Sequence, residues 1–591
     1  MRCAQNSIPY RLTFTIECRH GNGNNAFNCP RPCPTCYTNT AMILSVDIQS
    51  KIIGNKELFR DLAFTIEADA RVAIIGRNGI GKTTLFNMLS GKDEEYTGTI
   101  QTKRGLQIVS TAQEHHAVGN ESVVDYVLRN LPEYTDLKKI IDTYPDTMGD
   151  DMRKIDKYSD ALERFGVLDY YDIESAIVQS LQDYQISQEA AHGRMSRLSG
   201  GQKRFVEMVR IEHSHAELAL IDEPTNHMDY IAKAAFIEWL KAAKRTVLVI
   251  THDRDVLKYV DRVIEIKDGK ALTFKGNYEA YLKQNATNTT GKMHDYEIGL
   301  KTLDNLTKQI QAVRAKKAST SKTPNPFIPL ERRLVKERDE LSVRLEKPNF
   351  WIDRESAESL NKKGGDNYDK YKAKNIRIGK TDGPSNSHEL LRLDDLQLGY
   401  DDKPLFESLT TSLQHGERLQ LVGRNGVGKT TLVRAIMAAS QDQKPDTLKK
   451  GWIICNAKLQ LSVYDQEINP QLMQLTLSQA IGKIYYDLHL PASDEMIMRI
   501  MGDYLFDPHQ DGRLKVEQLS GGQKARLQII KMFANNPNLL ILDEPTNHLD
   551  LPSIEELENS LMKYHGALLY ISHDSYFARN IGGDRLVLKA V

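Results

Sequence analysis

Cysteine is scarce: six in 591 residues, with Cys3, Cys18, Cys29, Cys33 and Cys36 crowded at the start and Cys455 alone after them. The bulk of the chain therefore does not rest on disulfides and reads as cytoplasmic. Long apolar runs are missing as well. The longest, Val247 to Ile250 and Leu539 to Leu542, are strand-sized and far short of the roughly 18 residues of a membrane-crossing helix. Aromatic residues make up 7% of the chain, and with 37 glycines and 20 prolines it has neither collagen-like nor low-complexity character. Excess charge is lacking too: Lys plus Arg is 78 against 79 for Asp plus Glu, a net charge of −1. Any attraction to nucleic acid must then be local. What remains is a globular chain about four times the 150-residue domain length, which predicts several domains.

The cysteine-rich start invites a metal reading, with Cys29, Cys33 and Cys36 joined by Cys18 or His20. Only Cys33 and Cys36 have zinc-finger spacing, and no second paired knuckle follows. Residues 1–41 instead read as an unstructured extension without the apolar core of a signal peptide. Met42 opens an apolar strand pattern and is a candidate true start.

The chain carries one set of motifs twice. Gly76-Arg77-Asn78-Gly79-Ile80-Gly81-Lys82-Thr83-Thr84 follows the strand-like run 71–75, and Gly423-Arg424-Asn425-Gly426-Val427-Gly428-Lys429-Thr430-Thr431 follows 418–422. Leu198-Ser199-Gly200-Gly201-Gln202 is answered by Leu519-Ser520-Gly521-Gly522-Gln523. Asp222-Glu223-Pro224-Thr225-Asn226-His227 is answered by Asp543-Glu544-Pro545-Thr546-Asn547-His548, and His252 by His573. Serine to glutamate spans 24 positions in both halves, and glutamate to histidine 29. A lone phosphate-loop pattern or a lone Asp-Glu pair is weak; two ordered sets with matched spacing are not.

Each residue type has a chemical reason. A glycine-rich turn between strand and helix aims backbone N–H groups and the positive helix end at one spot, a phosphate cradle. Lys82 and Lys429 reach the β and γ phosphates of ATP; Thr83 and Thr430 offer hydroxyls, and Asp222 and Asp543 carboxylates, to Mg²⁺. Glu223 and Glu544 are placed to polarise the attacking water. His252 and His573 end β-patterned runs and are candidates to sense the γ-phosphate. Trp239, Trp351 and Trp452 are set aside as core.

The order of phosphate loop, glutamine, LSGGQ, D-E-P-T and histidine resembles the ATP-binding cassette superfamily, over about residues 42–285 and 388–591. The fold implied is α/β, two P-loop cassettes pairing head to tail so that each ATP lies between one half's phosphate loop and the other's LSGGQ. One implied site joins Lys82, Thr83, Gln113, Asp222, Glu223 and His252 to Ser520, Gly521, Gly522 and Gln523. The other joins Lys429, Thr430, Gln466, Asp543, Glu544 and His573 to Ser199, Gly200, Gly201 and Gln202. Gln113 and Gln466 are further implied magnesium ligands. Tyr400, 23 residues before Gly423, fits the family's adenine-stacking aromatic; the matching position in the first half is Ile53. The run Asp222 to Asp229, repeated as Asp543 to Asp550, and the phrase Phe274 to Tyr281 resemble the F subfamily, whose members lack membrane domains and act on ribosomes.

The halves are joined by a long stretch, 286–387. Leu303, Leu306, Ile310 and Val313 form a helical seam facing a second one at Leu334, Leu341 and Leu345, with Pro324, Pro326 and Pro329 expected to break any helix between them. An antiparallel helical hairpin is expected. Residues 281–380 hold 22 basic and 13 acidic side chains, a charge of +9 in a chain whose remainder is −10, the footprint of phosphate-backbone binding. The family resemblance sends this linker toward rRNA and tRNA, with Phe327 near its tip either stacking on a base or buried in the turn. The first half is also longer between glutamine and LSGGQ, 86 residues against 54. That excess, near 133–165, resembles the subfamily's arm; its 6 basic and 9 acidic groups suit a ribosomal protein better than RNA.

The expected function is that of a monomeric ribosome-associated ATPase, a translation factor or an antibiotic-resistance protein, that closes on ATP and leaves after hydrolysis. The alternative is the fused double ATPase of a membrane importer. DNA-repair cassettes split around a coiled coil, and the iron–sulfur cassette needs about eight N-terminal cysteines.

Overall fold

A computed structural model describes residues 42–591 except 55, 112–120, 227, 320–324, 346–388, 401–402, 465–467, 505, 520, 548 and 591. Residues 1–41, Gln113, Gln466, Ser520, Trp351 and all of the expected linker beyond Leu345 lie outside the described residues.

Each half is built on a sheet buried on both faces. In the first, six strands run in the order Ile108–Ser110, Leu218–Asp222, Thr246–Ile250, Arg71–Gly76, Arg262–Lys267, Lys270–Lys275; all neighbours are parallel except the last pair. Parallel strands covered on both sides need apolar residues at consecutive positions, which is why these segments lack polar alternation. Ala73, Ile75, Ala219, Ile221, Val247 and Val249 point into one core with the helices that follow. Val72, Ile74, Leu218, Leu220, Leu248 and Ile250 point into another, shared with the antiparallel sheet of Met42–Ile53, Lys56–Glu67 and Thr97–Thr102. The second half repeats the plan, with Leu461–Tyr464, Leu539–Asp543, Ala567–Ile571, Arg418–Val422 and Asp584–Val587 in one parallel sheet.

Trp452 departs from the core assignment: it is 70% exposed. Its strand, Leu448–Cys455, pairs with Glu389–Tyr400, and alternation sends Ile453 and Cys455 toward the core while Trp452 and Ile454 face outward. Trp239 does pack on the first core.

The expected arm is a pair of helices, Tyr134–Thr147 and Met152–Val167, tied at its base by Arg164, whose Nη2 lies 2.6 Å from Glu133. Tyr134, Phe165 and Tyr170 pack together there, the ring pairs 5.5 to 5.9 Å apart. The linker opens with one helix of 41 residues, Tyr278–Ala318, about 60 Å long at 1.5 Å per residue. It starts inside the stretch assigned to the first half, so the expected junction at 285/286 falls within a continuous helix. The second helix is Phe327–Arg344. Pro329 does not end a helix, as the sequence suggested; it sits in the first turn, where its missing N–H has no intrahelical partner to lose. Leu306, Ile310, Val313 and Leu334 are buried between the two helices, with Leu341 and Phe327 packed on them. Phe327, for which the sequence left two roles open, opens the second helix and packs part-buried on the seam.

Because this seam is separate from the cassette cores, Ile310→Ala should destabilise the hairpin alone, by about 2–4 kcal/mol. Amide exchange should quicken at 303–313 and 334–341 while the unfolding midpoint of the cassettes stays put; a matching shift of that midpoint would show the hairpin to be part of their cooperative unit.

Candidate nucleotide sites

Both phosphate loops are set by the strand before and the helix after. Gly81 and Gly428 precede the helices Lys82–Leu89 and Lys429–Ser440 with φ of 102° and 99°, backbone geometry that favours glycine. A Cβ at Gly81 would lie 2.9 Å from the Phe59 ring, so the position also lacks room. The lysine ammonium groups fold back over the loops: Lys82 Nζ donates to the carbonyls of Gly76 at 2.7 Å and Arg77 at 3.2 Å, and Lys429 Nζ to those of Gly423 at 2.7 Å and Arg424 at 3.1 Å. Burial lowers the pKa of both, against the pull of the nearby carboxylates. Asn78, Gly79, Asn425 and Gly426 form the loop crests, and Thr84 and Thr431 lie in the first helical turns.

Thr83 Oγ1 donates to Asp222 Oδ2 at 2.8 Å, and Thr430 Oγ1 to Asp543 Oδ2 at 2.9 Å. Hydroxyl and carboxylate oxygens thus meet beside each loop, a hard-donor pair that fits magnesium.

The glutamates follow at once. Glu223 and Glu544 have φ of 44° and 48°, a left-handed conformation costing about 1–3 kcal/mol for a residue with a side chain. Their N–H groups are held by the carbonyls of Ile250 at 2.9 Å and Ile571 at 3.0 Å, on the strands that end in the histidines. Strand pairing thereby delivers carboxylate and imidazole to one place: His252 Nε2 is 3.5 Å from Glu223 Oε1, and His573 Nε2 3.1 Å from Glu544 Oε1. Burial, with the neighbouring aspartate adding, pushes Glu223 up to about 8 and Glu544 up to about 7. Burial, then the phosphate-loop lysine, takes His573 down to about 4 and His252 well below its ordinary value. Both imidazoles are neutral at pH 7.

Ser199 caps the helix Gly200–His213, its hydroxyl accepting from Gln202 N while Gln202 Oε1 accepts from Ser199 N, a closed capping box. In the second half the helix Gly521–Phe533 begins with Gly521, Gly522 and Gln523, whose side chain donates to Asp511 at 3.0 Å. The second of these helices lies near the first half's loop. Arg526, one turn past Gln523, and Glu556 are within electrostatic reach of Arg77. Arg424 Nη2 donates to Gln185 of the first half at 2.9 Å. Tyr400, 55% exposed, lines a cavity with Leu405, Asn425, Gly428 and Thr431.

The sequence reading missed the aspartates that join the halves. Asp229 Oδ1 caps its own helix through Ala232 N, and its Oδ2 accepts from Asn425 N of the other half at 3.1 Å. Asp550 caps Ser553 N and accepts from Asn78 N at 3.1 Å. Both close a motif run already noted, but their partners lie 196 and 472 positions away, beyond any local spacing. Asp229→Ala or Asp550→Ala forfeits a cap worth about 1 kcal/mol and a charged bond of about 1.5–3 kcal/mol. ATP-driven closure, read by energy transfer between labelled halves, should need at least about tenfold more ATP. An unchanged ATP requirement would reduce the aspartates to local caps.

A family model described as ABC transporter matches residues 59–226 and 406–547, and a second of the same description matches 264–325. The putative ATP-binding protein YdiF of Bacillus subtilis (strain 168) is 30% identical over 559 residues, covering 93% of this chain and 80% of that protein. ABC transporter F family member 5 of Arabidopsis thaliana is 26% identical, covering 89% and 72%. Among solved structures, the archaeal ribosome recycling factor aABCE1 in complex with the stalk protein aP1 aligns with a TM-score of 0.52 at 17% identity, over 92% of this chain and 87% of that one. RNase-L Inhibitor aligns at 0.51 and 16%, over 89% and 84%. These two share the tandem-cassette fold. With its two ATP-binding modules, the chain is an ATPase and belongs to the F subfamily of the ATP-binding cassette family.

Proposed function

We propose that this ATPase works on the ribosome in the cytoplasm, as a monomer whose two cassettes close on two ATP molecules and reopen after hydrolysis. The observation that carries the reading is the linker: a basic helical hairpin, its first helix about 60 Å long, on an otherwise acidic chain. Arg332 and Arg333 are exposed on its second helix, and membership of the F subfamily supports the same assignment. The hairpin would meet rRNA and tRNA, and the acidic arm a basic ribosomal protein. The importer alternative loses ground to the subfamily and to this linker; no helix among the described residues is long and apolar enough to cross a membrane.

In this reading the loop N–H groups and Lys82 or Lys429 hold the phosphates. Thr83 with Asp222, and Thr430 with Asp543, hold magnesium, which would offset charge building on the phosphates; Gln113 and Gln466 are proposed to assist. Glu223 and Glu544 orient the attacking water, and buried neutral His252 and His573 report on the γ-phosphate. Ser199 to Gln202 and Ser520 to Gln523 close over the opposite nucleotide, and Tyr400 stacks on one adenine. Whether the cell uses this cycle in general translation or against an antibiotic turns on contacts made at the linker tip.

Glu223→Gln with Glu544→Gln should trap ATP and drive pelleting with purified ribosomes only when ATP is present. Lys82→Ala with Lys429→Ala should abolish that ATP dependence, and Arg332→Ala with Arg333→Ala in the trapped variant should weaken binding about tenfold at low salt and less at higher salt. Absence of ribosome binding, with or without capture by a permease-containing membrane fraction, would overturn the proposal.

A further inference from the structure

The motifs repeat with two-fold regularity, but the contacts around the two histidines do not. Positions 321 apart are equivalent in the region after LSGGQ, so Asp229 answers Asp550 and His252 answers His573. At the same offset Tyr230 is matched by Leu551, Lys233 by Ile554, Arg254 by Ser575, Asp255 by Tyr576, and Ile237 by Glu558. Lys233, Arg254, Asp255 and Glu558 among these make contacts between the halves.

Lys233 stands on the helix Tyr230–Ala242 of the first half and is 6% exposed. Its ammonium donates to the backbone carbonyl of His573 in the second half at 2.9 Å. The same nitrogen lies 2.9 Å from Asp253 and 2.7 Å from Asp255. Asp253 directly follows His252. One buried nitrogen therefore spans the two histidine segments, from Asp253 beside the first to the carbonyl of the second. Burial works against its charge, but Asp253, Asp255 and Asp574 outweigh burial and keep it protonated.

The surroundings add further ties between the halves. Arg254 of the first half binds Glu558 and, at 3.0 Å, Asp574, the residue after His573. Ser575 donates to Asp255. The Tyr230 ring lies 6.5 Å from that of His573. At the first site the equivalent positions are apolar: Leu551 is buried with the core of the first half, and Ile554 is 2% exposed and has no donor to offer. The His573 carbonyl is thus held in trans by the Lys233 ammonium, whereas Ile554, at the position equivalent to Lys233, offers no donor to the His252 segment, whose own polar ties to the second half run through Arg254 and Asp255.

We propose that Lys233 is a positioning residue for the second ATP site, holding His573 beside Glu544 when the halves are closed and linking its placement to the His252 segment of the first site. Hydrolysis at the second site then depends on the first half's conformation more than the reverse, so the two sites differ by construction. The proposal rests on the assignment of Glu223 and Glu544 as the hydrolytic carboxylates.

Single-site enzymes test it. Glu223→Gln leaves the second site to hydrolyse, Glu544→Gln leaves the first, and the double variant sets the background. Lys233→Met should lower kcat of the second site at least about tenfold, with KM moving less than about twofold, and should slow the first site no more than about twofold. Lys233→Gln loses the same charge and both ion pairs but keeps a donor for the His573 carbonyl, so it should recover most of the second-site kcat. A residue that merely neutralised buried Asp253 and Asp255 would slow both sites alike and make Met and Gln equivalent; either result overturns the proposal, as does an unchanged second-site kcat. If Lys233→Met does not fold, the comparison of the two sites in Lys233→Gln decides: a selective second-site deficit with unchanged KM supports positioning, and equal deficits overturn it. Turnover by the double Glu→Gln variant at the wild-type rate would instead strike the carboxylate assignment itself.

Discussion

Two backbone amides, each captured by a carboxylate of the other half, hold the arrangement on which everything else depends. Asn78 N meets Asp550 and Asn425 N meets Asp229. Since each aspartate also caps the helix behind it, the crest of one phosphate loop is fastened to a rigid element of the opposite cassette. A phosphate loop alone is an anion cradle; two of them fastened head to tail become a pair of sites that open or close together. The strained φ of Glu223 and Glu544 and the burial that raises their pKa belong to the same closed interface. They mark where the fold gives up local comfort for chemistry.

The parts of this machine set by local covalent order were legible beforehand. Phosphate loops, Thr–Asp pairs and Glu–His pairs each arise where a parallel strand ends, and a strand's apolar run followed by a fixed turn is written in consecutive residues. The hairpin seam was legible for the same reason, since Leu306, Ile310 and Val313 recur with helical spacing. What depended on the meeting of distant segments was not. Asp229 and Asp550 stood inside a noted phrase, yet nothing in spacing tells that their second oxygens cross to the other half. Lys233 had no motif at all; it is visible only by asking what occupies the equivalent place, Ile554. Trp452 misled because size suggested burial, whereas its strand's alternation decided its face. Pro329 misled because a proline breaks a helix only where an N–H is needed.

Near-symmetry joined to local asymmetry gives the molecule its character. Duplicated motifs supply two sets of the same loop, Thr–Asp and Glu–His groups, whereas the charged groups gathered around Lys233 and Arg254 connect them unequally. The 41-residue helix that leaves the first cassette without a break is stiff on the scale of the cassettes. In the proposed cycle a change in their closure would be carried along it.

The central claim is that each phosphate loop is completed by the other half. Amide hydrogen exchange in the ATP-bound Glu223→Gln, Glu544→Gln protein tests it most directly, with Asp229→Ala or Asp550→Ala added. The account predicts crossed effects: loss of Asp550 quickens exchange at Asn78 in the first half, and loss of Asp229 quickens it at Asn425 in the second. Faster exchange confined to the half that carries the substitution would contradict it.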